Sequence, residues 1–191
     1  MSEHIQKIEK LIQQLPSGNY VDTCRLIYPE CVSIRDSGKH DELRLACDLL
    51  ITKLNSPSDV VRQMAVEALG VLADTRAVIP LTTLLRDEDI SVAGYASDSL
   101  GKIRDPRAVP ALIEAMTRWL GTSNCGRAAE ALGRIGDGRA IQPLREILHN
   151  LEAREKRDAN TVSLGKWHGL EDSVSKRQVE QALEKLSGVH G

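Results

Sequence analysis

The segment DTRAVIPL at residues 74–81 recurs as DPRAVPAL at residues 105–112 and as DGRAIQPL at residues 137–144. The copies begin 31 and 32 residues apart, and a Leu-Gly pair ends four residues before each of them. A period of this length is typical of stacked helical repeats, in which each unit buries its apolar face against its neighbours. The repeat therefore predicts an all-α chain that folds as an α-solenoid, an alpha-alpha superhelix of short helical hairpins.

Each repeat is predicted to contain two helices. In the clearest copy, apolar residues at helical spacing predict a first helix from Val60 to Leu72 and a second from Thr75 to Arg86. In the next copy, Asp105 followed by proline has the composition of a helix N-cap and first turn. Small residues on the first helix would let a neighbouring helix approach closely, which explains how a chain with no phenylalanine could build its core.

The pattern continues weakly on both sides of the clear copies. We expect one continuous domain over residues 1–191, since end repeats of a solenoid are commonly atypical. Its predicted parts are N-terminal cap helices at 1–37, regular repeats at 38–149 that are clearest at 59–149, and an irregular segment with a C-terminal capping helix at 150–191.

Further elements are predicted within these end regions. An amphipathic helix at residues 5–15 is ended by Pro16-Ser17-Gly18, and helices at 20–34 and 41–54 form an early, degenerate repeat. Charged residues 150–159 should extend the last repeat helix, and residues 160–169 are predicted to be loop-like. Leu164-Gly165 falls 32 residues after Leu132-Gly133, although the repeat columns then slip before a final helix near 172–186.

Composition limits the classes of function. A net charge of −2 argues against a general nucleic-acid or membrane-surface binder, and no apolar stretch approaches the roughly 18 residues that a bilayer span requires. The first residues have no secretory-signal pattern, and the four cysteines show no paired spacing. We therefore expect a cytoplasmic protein with a protein partner and without nucleic acid or membrane.

The three copies, each after an (Ala/Ser)-Leu-Gly helix, resemble HEAT repeats, and most of all the phycobilisome-lyase HEAT-like family. The resemblance implies an armadillo-like helical scaffold that binds proteins. For the eponymous family it implies attachment or removal of a bilin on a phycobiliprotein cysteine, or chaperoning of such a protein. HEAT-like deoxyhypusine hydroxylases hold a di-iron centre with His-Glu pairs, but this sequence contains no His-Glu dipeptide, which argues against that activity.

The repeated Asp-x-Arg pair admits two interpretations. It could be a binding ladder of charge, or each arginine could pair with an aspartate of its own or the adjacent repeat and cap the turn between the helices. We favour the structural interpretation. The ladder consists of Asp74, Arg76, Asp105, Arg107, Asp137 and Arg139.

The second helices of such solenoids usually line the concave surface, and their outward columns are mixed polar with a few apolar residues. Trp119 and Trp167 are the leading anchor candidates, although either could instead seal a junction between repeats. The predicted partner-binding residues are Thr82, Arg86, Ile113, Thr117, Arg118, Trp119, Arg145, His149, Trp167 and His168, the last two in the irregular segment.

Other candidate chemistry is weaker. Cys47 occupies a core column, whereas Cys125 lies near a helix start where its thiol could be partly exposed with a lowered pKa. Glu67, Asp98 and Glu130 form an acidic column that we expect on the solvated outer face. No catalytic constellation and no metal-ligand spacing emerge, so we expect no catalytic residue, no metal and no cofactor.

Three functions remain open. The first is a non-enzymatic scaffold or adaptor that binds a protein through the concave face. The second is a bilin-lyase-like or phycobiliprotein-chaperone subunit, for which bilin would be the ligand; if the protein is an enzyme, it is of this lyase type. The third is a regulatory subunit of an enzyme complex.

Overall fold

The structure is a computed structural model that describes residues 3–14, 20–160 and 168–188, with side chains given outside 20–23, 158–160 and 168–173. The described residues form ten α-helices and no β-strand, which confirms the all-α prediction. They divide into two compact units, Met1–Ile103 and Arg104–Gly191. The expectation of one continuous domain stays a prediction.

The first unit begins with an N-terminal helix and continues as paired helices. The N-terminal helix turns Ile5, Ile8, Leu11 and Ile12 inward, as their spacing predicts. The helices are α1 (Glu3–Gln14), α2 (Tyr20–Asp36), α3 (His40–Lys53), α4 (Asp59–Leu72), α5 (Val78–Leu84) and α6 (Ile90–Ile103). The predicted end of the first helix at Leu15 and Pro16-Ser17-Gly18 lies outside the described residues.

The second unit contains the last clear repeat and the C-terminal helices. Its helices are α7 (Val109–Arg118), α8 (Ser123–Ile135), α9 (Ile141–Asn160) and α10 (His168–Ser187). As predicted, the charged residues after Asn150 continue the last repeat helix. The final helix is longer than predicted and starts at His168, so the expected loop is wrong for Asn160, His168 and Gly169, which lie in helices.

The second α-helix of each clear repeat begins a few residues later than its apolar pattern predicts. In the clearest copy, a single 3-10 turn at Thr75–Ala77 precedes α5. The other two copies have the same turn at Pro106–Ala108 and Gly138–Ala140. The turn forms because the aspartate before it accepts a hydrogen bond from the backbone N–H of the arginine two residues later, which fixes the chain before the α-helix starts.

Small residues set the contact between successive first helices. A Cβ atom on Gly70 of α4 would lie 2.5 Å from Ser99 Oγ of α6, and that hydroxyl donates a 2.9 Å hydrogen bond to the Val66 carbonyl. Because the two helices lie close together, the space between them is narrow, and Leu69, Leu100 and similar side chains fill it. The core therefore needs no wide aromatic ring.

The terminal helix α10 takes the place of another first helix. A Cβ atom on Gly133 of α8, the repeat equivalent of Gly70, would lie 3.0 Å from the Ala182 Cα atom. Ala182 therefore corresponds to Ser99, and the following residue, Leu183, takes the column of Leu132 at a spacing of 51 residues rather than 32. Leu164, which the sequence spacing assigned to that column, lies outside the described residues.

Candidate functional site

The Asp-x-Arg ladder forms closed pairs within each repeat. The carboxylates of Asp74, Asp105 and Asp137 each accept the backbone N–H two residues later at 2.9 Å. The guanidinium group of that same residue also bonds each carboxylate, at 2.7, 2.7 and 2.6 Å. In the third pair, the side-chain and backbone hydrogen bonds from Arg139 lower the pKa of Asp137 to about 2.

Two ladder arginines also bind the preceding repeat. Arg76 Nη1 lies 2.8 Å from Asp48 Oδ1 on α3, within the first unit. Arg139 Nη2 donates to the Pro106 carbonyl at 3.1 Å, within the second unit. These bonds agree with the structural interpretation of the ladder, because its charges are used inside the chain.

A buried ion pair, which the sequence patterns did not suggest, joins the start of α4 to the turn after α5. Arg62 contacts Asp87 through two hydrogen bonds of 2.8 Å, and its Nη1 donates to the Ser56 carbonyl at 2.9 Å. The two side chains are only 8% and 7% exposed. The sequence does place an arginine on the otherwise apolar face of α4, which could have indicated a buried ion pair. The repeat pattern does not indicate that its partner is Asp87.

The first unit carries two of the predicted partner-binding residues, both near α5. Thr82 is half-buried and its hydroxyl donates to the Ile79 carbonyl at 2.7 Å. Arg86 is exposed just after the helix, and Ile79 leaves 55% of its surface in solvent. An exposed apolar side chain therefore lies at the start of α5, and an exposed cation follows its end.

The second unit brings most of the other predicted residues together on α7 and α9. On α7, Ile113 is half-buried, whereas Thr117 and Arg118 are exposed; Arg118 contacts Glu114 at 2.7 Å. On α9, Arg145 and His149 are exposed one helical turn apart. Helices α7 and α9 contact each other within the second unit, and each carries some of these exposed groups. A single face that also includes Thr82 and Arg86 stays a prediction.

Trp119 lies in the turn between α7 and α8. Its backbone carbonyl accepts hydrogen bonds from the Thr122 backbone N–H at 2.9 Å and the Thr122 hydroxyl at 2.8 Å. The residue is half-buried. Its backbone thus holds the junction between the helices, and the residue as a whole is only partly exposed to solvent.

The two candidates from the irregular segment are separated by the structure. Trp167 lies outside the described residues. His168 was expected in a loop, but it is the first residue of α10 because the final helix begins earlier than its apolar spacing indicated. The position of its side chain is not described.

The cysteines are structural rather than reactive. All four are buried, and burial raises the pKa of the Cys31 and Cys47 thiols to about 12. The expectation of a partly exposed Cys125 is wrong: its side chain is fully buried, because α7 and α10 both pack against α8. Among the described residues, no cluster of His, Cys, Asp and Glu could hold a metal ion.

The acidic column was also misplaced. Glu67, Asp98 and Glu130 are half-buried rather than fully solvated. The reason is visible at Glu67, where the Gln63 amide donates to the carboxylate at 3.2 Å and α2 packs against α4. Burial of Tyr28 beside this carboxylate and Cys24 raises the pKa of the phenol.

No described helix is both long and apolar enough to cross a membrane.

The paired helices and the Asp-x-Arg turns define a helical-repeat protein of the α-solenoid class. Residues 47–119 match the family of HEAT repeats, and residues 125–150 match the PBS lyase HEAT-like repeat. The chain thus belongs to the HEAT-repeat proteins, as its turn motif predicts. No curated protein matches it.

Solved structures with the same fold include a complex of CpcE and CpcF of phycocyanin lyase from Nostoc sp. PCC7120. That match has a TM-score of 0.61 and 24% identity, and it covers 95% of this chain and 65% of the other, so this chain spans just under two thirds of its length. Two engineered proteins match with TM-scores of 0.53 and 0.54 at 19% and 21% identity. These alignments cover 95% and 94% of this chain, and 79% and 47% of theirs.

Proposed function

We propose that this protein is a non-enzymatic HEAT-repeat scaffold that binds a protein partner through the solvent faces of its second helices. The observation that carries the proposal is the group of exposed polar side chains on α7 and α9, where Thr117, Arg118, Arg145 and His149 reach solvent. Arginine is common at the centres of protein interfaces, where its fork of donors meets carboxylates and carbonyls.

The rest of the chain supports a binding role over a catalytic one. The ladder aspartates and arginines bond one another, and the four cysteines are buried. Groups held in this way stabilise repeats and do not activate a substrate. The half-buried Trp119 could supply an apolar contact at the edge of the same region, and Thr82 and Arg86 are proposed as contacts from the first unit.

Affinity capture with the full chain as bait tests this proposal. The native partner is identified by mass spectrometry, and capture is then repeated with Arg118→Glu/Arg145→Glu. Reversing two exposed charges should remove the partner while circular dichroism stays unchanged, because neither side chain is in the core. Arg86→Glu, measured separately, reports whether the first unit contributes.

Arg177→Glu is the matched control, since this arginine is exposed on α10, which is not one of the two proposed binding helices. It should capture the partner as well as the wild-type chain does. Undiminished capture by the double variant would place the binding surface elsewhere. Failure of the wild-type chain to capture any protein would reject the scaffold role.

The alternative is a bilin-lyase-like or phycobiliprotein-chaperone subunit. Two observations favour it: the PBS lyase HEAT-like repeat at residues 125–150, and the fold shared with the complex of CpcE and CpcF of phycocyanin lyase. Adding bilin to the purified chain and recording its visible spectrum separates the two functions. A shifted and intensified absorption band supports the alternative, whereas an unchanged spectrum with retained protein capture supports the scaffold.

A further inference from the structure

Two exposed aliphatic side chains lie on neighbouring second helices of the first unit. Leu45 on α3 leaves 52% of its surface in solvent, and Ile79 on α5 leaves 55%. An ion pair of 2.8 Å between Asp48 and Arg76 joins the two segments beside these residues. Each member of the ion pair is three residues, about one helical turn, from one of the two aliphatic residues. We call Leu45 and Ile79 the aliphatic pair.

The repeat does not require an aliphatic residue at either position. Leu45 precedes Arg76 by 31 residues, so it occupies the column that holds the ladder arginines in the clear repeats. Ile79 occupies the column of Pro110 and Gln142, which are both exposed in the second unit. Since arginine, proline and glutamine occupy these columns elsewhere, folding does not explain the leucine and the isoleucine.

The threonines on the same helix faces have already used their hydroxyl donors. Thr52 on α3 and Thr82 and Thr83 on α5 lie within about 60° of the aliphatic pair around their helices. Each donates to the backbone carbonyl three residues earlier, at 2.6, 2.7 and 2.7 Å. A hydroxyl has a single donor, so these side chains need no acceptor from a partner that covers them.

The charges of these two segments balance. Beside the aliphatic pair they contact one another, since Asp48 lies 3.9 Å from Arg44 and 2.8 Å from Arg76. With His40 counted as neutral, α3 and residues 74–86 carry four acidic and four basic side chains, which are Asp41, Glu42, Asp48 and Asp74 against Arg44, Lys53, Arg76 and Arg86. This surface therefore has no excess charge that would select a charged partner.

We propose that the aliphatic pair docks an apolar, uncharged helix of the protein partner. This inference rests on the proposed function and names the chemistry of the partner segment that the first unit binds. A charged segment would lose hydration on this surface without meeting an excess of opposite charge, whereas an apolar segment gains by covering Leu45 and Ile79. The segment is a helix because α3 and α5 offer no strand edge and the threonine donors are already used, so its backbone must satisfy its own hydrogen bonds.

The probe is a helical peptide of alanine and glutamine with leucines at positions i, i+4, i+7 and i+11, and its reference has glutamines at the same four positions. Both peptides have blocked ends and an uncharged fluorophore. Fluorescence anisotropy with the full chain should show at least roughly tenfold tighter binding of the leucine peptide. Its affinity should change less than about twofold between about 0.05 and 0.5 M salt, because no ion pair forms across the contact.

Leu45→Glu/Ile79→Glu should weaken binding of the leucine peptide by at least roughly tenfold, because it places two charges where the apolar face docks. The matched control is Leu26→Glu/Val174→Glu. Its two residues are 49% and 53% exposed on α2 and α10, which are not the docking helices. The control adds the same charge and should change the affinity less than about twofold. Circular dichroism should be the same for both variants and the wild-type chain, since all four side chains reach solvent.

Equal binding of the two peptides, or an equal loss in the control variant, overturns the inference. Tighter binding of a peptide with lysines or glutamates in place of the leucines overturns it as well, because charge would then select the partner. Binding to phosphatidylcholine vesicles, or dimerisation in sedimentation velocity, that is lost in Leu45→Glu/Ile79→Glu overturns it in favour of a lipid surface or a second copy of this chain.

A second measurement separates this inference from the proposed function. If Leu45→Glu/Ile79→Glu still captures the partner identified by mass spectrometry at wild-type level, the scaffold role stands and the aliphatic pair is not its contact. If the wild-type chain captures no protein, the scaffold role fails, whatever the peptide does. Loss of that partner in the variant together with leucine-specific, salt-insensitive peptide binding is the result we expect.

Discussion

Ala73 and Arg104 hold left-handed backbone conformations immediately after α4 and α6, with φ values of 55° and 58°. The equivalent residue after α8 is Gly136, with φ 82°. This conformation ends each first helix and turns the chain into the Asp-x-Arg segment. Side chains with a Cβ atom are strained there, whereas glycine is not.

Ala73→Gly should therefore stabilise the protein by about 0.5–1 kcal/mol, although glycine also makes the unfolded chain more flexible. Urea unfolding at constant pH measures the change. Ala153→Gly is the matched control, because the same substitution in the helical backbone of α9 should destabilise by about 1 kcal/mol. A loss of stability in both variants would show that the turn at Ala73 carries no strain.

The ion pair between Arg62 and Asp87 leads to a second prediction. Arg62→Met leaves a nearly buried carboxylate without its partner and should destabilise the protein by about 3–5 kcal/mol. Adding Asp87→Leu should recover a large part of this loss, because the unpaired charge is then removed. Denaturant midpoints of the two single variants and the double variant form the required cycle.

Arg76→Ala provides the comparison for a more exposed pair. The Arg76 side chain is 39% exposed, so its removal should cost no more than about 1 kcal/mol. If Arg62→Met and Arg76→Ala had the same small effect, the buried pair would contribute no more than the surface ladder does.

At the scale of helices, the contact between α8 and α10 depends on glycines, which have no side chain to hold the two helices apart. Gly126 faces Gln178 and Ser175, Gly133 faces Ala182, and the Ser175 hydroxyl donates to the Thr122 carbonyl at 2.9 Å. The contact therefore has the same design as that between Gly70 and Ser99. This equivalence defines α10 as a first helix that covers α8.

Gly133→Val should push α10 away from α8, since even a Cβ atom would meet the Ala182 backbone at 3.0 Å. Hydrogen exchange of the backbone amides in residues 175–187 should accelerate by at least roughly tenfold, equivalent to about 1.4 kcal/mol of lost protection. Gly138→Val is the control, because a Cβ atom there comes no nearer than 3.9 Å to another group. Unchanged exchange in Gly133→Val would contradict the assigned packing of α10.

Much of this helical arrangement could be predicted, because apolar spacing reports which face of a helix is buried. The spacing of Val61, Ala65 and Leu72 located α4, and the repeated DxRA turn identified the family. Spacing along one helix does not report contacts between distant segments. It therefore missed the pairing of Arg62 with Asp87, the complete burial of Cys125 and the shift that brings Leu183 into the repeat column.

At the scale of the molecule, the proposed binding site follows from which polar groups the fold leaves available. The repeats use Asp74, Arg76, Asp137 and Arg139 for their own turns, whereas Arg145 and His149 extend from α9 into solvent. The sequence columns placed Arg145, His149 and Arg118 on the outward sides of their helices, and the structure leaves these three exposed. They could not predict the ion pair of Glu155 with Lys176, which depends on how α9 packs against α10.

The most direct test of the scaffold role is the dissociation constant of the identified partner, measured by isothermal titration calorimetry with the full chain. Compared with wild type, Arg118→Glu/Arg145→Glu should raise the constant by at least roughly tenfold per reversed charge, while Arg177→Glu leaves it within about twofold. An unchanged constant for the double variant, or an equal rise for Arg177→Glu, would contradict binding through α7 and α9.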